Sequence, residues 1–96
     1  MMSETVKVTQ EHINAGSAIN CTKCPVALAI NEAMSKYKEY SYASVSPSCV
    51  RLVFNSDGDQ ISTHWDTPTP QPVRQFITEF DRGDTVEPFE FELALV

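Results

Sequence analysis

Cys21-Thr22-Lys23-Cys24-Pro25-Val26-Ala27-Leu28-Ala29-Ile30 is the stretch from which the rest of this chain can be read. Proline suits the first position of a helix, because the N–H it lacks would have no intrahelical partner there. The spacing therefore predicts a helix beginning at Pro25, with Cys24 as its N-cap and Cys21 in the loop before it. Val26, Ala29, Ile30, Ala33, Met34 and Tyr37 recur at helical spacing and form one apolar stripe. Asn31, Glu32, Ser35, Lys36 and Lys38 make the polar side, and the two lysines complement the negative end of the helix dipole. Leu28 lies off the stripe, either exposed or covered by the loop at residues 17–20.

Upstream, residues 5–8 alternate with Val6 and Val8 on one face, which predicts a short strand. Thr9 is a candidate N-cap for a short helix over residues 10–15, with Gly16 as its stop. Downstream, residues 40–46 read as a strand that Pro47 ends. A β-hairpin follows. Asp57-Gly58 is a signal for a two-residue type I′ turn, and that turn would set Phe54 opposite Ile61, Leu52 opposite Thr63 and Val50 opposite Trp65. The other face would then carry Arg51 opposite His64 and Cys49 opposite Asp66. Val73, Phe76, Ile77 and Phe80 form the stripe of a helix starting near Pro72 and stopped by Arg82-Gly83. Phe89, Phe91, Leu93 and Leu95 alternate with Glu90 and Glu92 in a last strand. The expected fold is α+β, a single domain over residues 1–96. It would have one mostly antiparallel sheet of four to five strands and two main helices on one face, in the order β-α-β-β-β-α-β. A variant of the ferredoxin-like arrangement fits that order.

Ninety-six residues, 42% of them hydrophobic, suffice for one modest core. No apolar run reaches the length of a membrane-spanning helix. Ser3, Glu4, Lys7 and Gln10 leave no room for the apolar stretch of a signal peptide, so the expected location is the cytoplasm. A net charge of -6 argues against direct binding to nucleic acid, which needs a basic surface. Glu79, Asp81, Asp84, Glu87, Glu90 and Glu92 crowd the last part of the chain. They read as a solvated face or, more sharply, as a nucleic-acid mimic that competes for a basic partner.

Three cysteines without a secretory signal do not make a disulfide framework. Zinc takes four ligands and favours thiolate and imidazole. Cys21 and Cys24 could supply one half of such a site and Cys49 with His64 the other, the latter two near-diagonal neighbours in the expected hairpin, with His12 as the alternative ligand. A thiol-redox pair is the second reading, since a helix N-terminus lowers a cysteine pKa. Pro25 follows the pair instead of lying inside it, and Thr22-Lys23 lies between. The third reading makes the cysteines structural. No nucleophile elbow or phosphate-cradling loop is present in the sequence. Phe76, Phe80, Phe89 and Phe91 read as core, with no basic residues interleaved to make a base-stacking platform.

Two segments carry a resemblance. One is Thr9-Gln10-Glu11-His12-Ile13 with Gly16 and Cys21-x-x-Cys24-Pro25-Val26-Ala27-Leu28-Ala29; the other is Phe76-Ile77-x-x-Phe80-Asp81-x-Gly83 with Val86-x-Pro88-Phe89-x-Phe91. Together they resemble a group of small uncharacterised proteins of tailed bacteriophages and their bacterial hosts. The resemblance implies a bacterial cytoplasmic context and an accessory role, and it assigns no catalytic residue. The expected function is a non-enzymatic protein-binding module with a host or phage protein as partner. The alternatives are the zinc or thiol protein and the acidic mimic, and self-association through an uncovered sheet edge or face is a further expectation.

Overall fold

The computed structural model describes residues 3–55 and 62–94. The elements are β1 (Ser3–Val8), α1 (Gln10–Ala15), α2 (Pro25–Met34), β2 (Tyr40–Val45), β3 (Cys49–Asn55), β4 (Ser62–Pro68), α3 (Gln71–Asp81) and β5 (Phe89–Ala94). The α+β class holds, and every strand pairing is antiparallel. The strands fall into two sheets, however, and not the single sheet expected. β1 pairs with β5, while β2, β3 and β4 form a meander. The outer edge of β2 is occupied at one end. There the Val45 N–H donates to the carbonyl of Cys21 at 2.7 Å.

Helix α2 explains how two small sheets share one core. It packs against both β1 and β2. Pro25, Val26, Ala27, Ala29, Ile30 and Met34 are all buried, a wider arc than the expected stripe. Ala27, off that stripe, is buried because a helix at a seam between sheets meets protein on two sides. Val6, Val8, Leu52, Val50, Val73, Phe76, Phe91 and Leu93 complete the same cluster. Burying each Val, Leu, Ile or Phe side chain is worth roughly 1.5–3 kcal/mol.

The caps follow the sequence closely. Thr9 caps α1, and Cys24 caps α2 with its Sγ accepting the Ala27 N–H at 3.4 Å. α3 ends in a Schellman motif: Gly83 at φ 85° donates to the Phe80 carbonyl and Asp84 to that of Glu79. Gly16 does end α1, but for another reason than conformational freedom. Its φ is -74°, open to any residue. What it needs is space: a Cβ there would lie 2.5 Å from Pro25 Cδ and 2.6 Å from the Pro25 nitrogen.

In the β3–β4 ladder Leu52 faces Trp65, Arg51 faces Asp66, Phe54 faces Thr63 and Cys49 faces Pro68. The expected register is therefore off by two residues. A slip of one would turn every side chain to the wrong face, but a slip of two preserves the faces, so hydrophobic alternation cannot detect it. The bidentate pair from Arg51 to Asp66, at 2.8 and 3.1 Å, belongs to the observed register. Asp57-Gly58, with Ile61, lies outside the described residues.

Candidate functional site

The residues between α1 and α2 form a tightly tethered loop. The Ser17 N–H donates to the Lys23 carbonyl, and the Lys23 N–H to that of Asn20. The Asn20 side chain accepts the N–H and hydroxyl of Thr22, an Asx turn that fixes the approach to Cys24. Cys21 is held to the end of β2 through Val45, and the Ile19 N–H donates to Asp81 Oδ1 at the end of α3, at 3.0 Å. The loop thus joins α2, β2 and α3. Between these elements lies a cleft of about 220 Å³, lined by Ile19, Cys21, Cys24, Val45, Pro47 and Ile77 among others.

Ile19 stands at the lip of this cleft. Its φ of 55° is the only positive value at a non-glycine residue among those described, and the residue is 83% exposed. The left-handed region is unfavourable for L-residues, and most of all for a β-branched one. The backbone around Ile19 spends its polar groups on neighbours and offers an apolar side chain to solvent. No pattern in the sequence singles Ile19 out. The signal lies in a backbone angle and in a hydrogen bond to a residue 62 positions away.

Cys24 is 5% exposed. Burial pushes its thiol pKa up, and the N–H groups of Ala27 and Val26 offset this only in part. Desolvation wins over the helix terminus, the reverse of what a thiolate nucleophile at a helix start requires. Cys21 is exposed and lines the same cleft. Cys49, half-buried, lies on the outer face of the meander. His64 faces Val53, four positions along β3 from Cys49, roughly 14 Å at about 3.4 Å per residue. The near-diagonal pairing of Cys49 with His64 that the expected register implied is corrected with that register.

His12 has both ring nitrogens in use. Nδ1 accepts the Thr9 N–H at 3.0 Å, and Nε2 lies 2.7 Å from Glu32. It therefore closes a capping box on α1, with histidine where glutamate or glutamine is usual. Among the described residues no group of three or more His, Cys, Asp or Glu side chains is placed to hold a metal ion.

Several acids of the C-terminal part are bound into the fold. Glu92 accepts from Ser3 and Thr5, Asp81 holds Ile19, Asp84 pairs with Arg82, and Glu90 faces Lys7 in the β1–β5 ladder. No helix among the described residues is long and apolar enough to cross a membrane. Compared with known proteins, the chain matches no family model, no curated protein and no solved structure.

Proposed function

We propose that this chain is a non-enzymatic protein-binding module, a small accessory protein of phage type working in a bacterial cytoplasm, with Ile19 as the anchor of its binding surface. One observation carries the reading: an isoleucine held in a left-handed conformation with its side chain almost fully in solvent. Strain of this kind, about 1–2 kcal/mol, persists only where surrounding structure enforces it. Here Asp81, Lys23 and Asn20 enforce it. Burial of an isoleucine side chain in a partner contributes roughly 1.5–3 kcal/mol. The partner would bring an apolar pocket for Ile19 and, given the net charge of -6, a basic rim.

The test is capture from bacterial lysate at low salt by the wild-type chain and by Ile19→Asp, with captured proteins identified by mass spectrometry. The expected result is a defined protein retained by the wild type and lost with Ile19→Asp, whose circular dichroism stays unchanged. Equal capture by both chains would remove Ile19 from the surface.

A further inference from the structure

We infer that strand β4 is a self-complementary edge through which two copies of this chain pair antiparallel, joining their meanders into one six-stranded sheet. The inference rests on backbone parity, on charge placement and on the exposed Trp65, and it is independent of Ile19.

Parity comes first. In an antiparallel ladder alternate residues turn their N–H and C=O toward the neighbouring strand and the rest turn them away. The Thr69 N–H donates to the Ser48 carbonyl at 3.4 Å, continuing the β3–β4 register. Thr67, Trp65 and Thr63 therefore face β3 with their backbone groups. Ser62, His64 and Asp66 turn theirs outward, along an edge that no strand covers among the described residues. Pro68 has no N–H to offer and closes the edge at that end. Other edges are guarded: β1 and β5 carry Lys7, Glu90 and Glu92, and Cys21 caps one end of β2. Charge is a standard defence against edge pairing.

On β4 the outward-turned positions are self-complementary instead. A twofold axis through Trp65 sets His64 of each copy opposite Asp66 of the other. Both residues belong to the outward-turned set, so the two positions exchange N–H to C=O bonds in both halves of the ladder, and the Ser62 N–H meets the Pro68 carbonyl. The side chains of His64 and Asp66 lie on one face, 55% and 38% exposed and 3.8 Å apart within one copy, with Asp66 also held by Arg51, so pairing extends this cluster across the axis. Trp65 falls on the axis at a non-hydrogen-bonded position, where facing side chains come closest. Trp65 is 42% exposed, and a second ring would cover it. Shifting the register by one step of the same parity, in either direction, sets His64 opposite His64 or Asp66 opposite Asp66.

The test is sedimentation of the full chain over a range of concentrations up to millimolar, with near- and far-ultraviolet circular dichroism in parallel. A mass approaching twice 10.7 kDa is expected, together with an exciton signal between the two copies of the chain's one tryptophan. His64→Pro removes an outward N–H that has no strand partner among the described residues. It should preserve the fold and weaken pairing about thirty-fold, the loss of two hydrogen bonds. Trp65→Thr, which keeps strand propensity, should abolish the exciton signal and weaken pairing as well. A monomer at every concentration would overturn the inference. So would a dimer that neither variant weakens.

Discussion

The loop before α2 and the strand β4 are unfinished surfaces of opposite kinds. In the loop the backbone groups at Ser17, Ile19, Cys21 and Lys23 are bonded to protein, and an isoleucine side chain is left over. In β4 the side chains are partly engaged, Asp66 with Arg51 and Trp65 beside Leu52, and one row of backbone groups is left over. An apolar knob suits a pocket on a different protein, because two knobs do not fill each other. A row of alternating donors and acceptors suits another strand, and the nearest identical strand is that of a second copy. The loop thus points outward to another protein and β4 to the chain itself.

The largest expected effect breaks the loop side of this contrast. Gly16→Ala drives a methyl group into the Pro25 ring and nitrogen, and neither can give way without moving the start of α2. It should cost about 1–3 kcal/mol of stability, measured by urea unfolding. Asp81→Ala removes the acceptor of the Ile19 N–H and should cost about 1 kcal/mol. Hydrogen exchange sharpens the contrast. The Ile19 amide should exchange faster in Asp81→Ala, and in the wild type its rate should not depend on protein concentration. The amides of His64 and Asp66 should be unprotected in dilute solution and become protected as concentration rises.

The same two regions show what a sequence can and cannot say. Around α2 the cues are local and covalent. Proline fixes the helix start, and the residue before it must then be the cap, so Cys24 and Pro25 stand where their order requires. Thr9, Gly83 and the stripe of α3 are legible for the same reason. In β4 the cue is a period of two, which fixes the face of Trp65 but leaves its partner undetermined between Val50 and Leu52. Where a long-range contact decides, the sequence is silent. The contact of Cys21 with Val45 at the edge of β2 joins residues distant in sequence. The thiol of Cys24 depends on burial by elements distant in sequence. His12 reads as an alternative ligand because nothing in its sequence neighbourhood shows that Glu32 will reach its second nitrogen.

A smaller effect concerns pH. The Tyr37 hydroxyl, then the Lys36 ammonium, hold the Glu4 carboxyl below its usual value, tying β1 to the residues after α2. A depressed carboxylate contributes stability above its unfolded pKa and loses it as pH falls through the folded one. Glu4 in turn raises the pKa of Tyr37 and of Lys36, so their contributions are full below their unfolded values and fade as pH rises through the folded ones. Asp66 is likewise depressed, by Arg51. The melting temperature should therefore fall toward acid, and Glu4→Gln should flatten that acidic limb. Asp66→Asn should flatten it less, because its ion pair is exposed and ties only neighbouring strands.

The most direct measurement on the central claim joins stability and binding in one variant, Ile19→Gly. Glycine accepts the left-handed backbone and removes the side chain. If Ile19 is strained in order to be presented, the variant should be as stable as the wild type or more stable by roughly 0.5–1 kcal/mol, and it should lose the captured partner. A variant that is less stable and still binds the same protein with unchanged affinity would contradict the account.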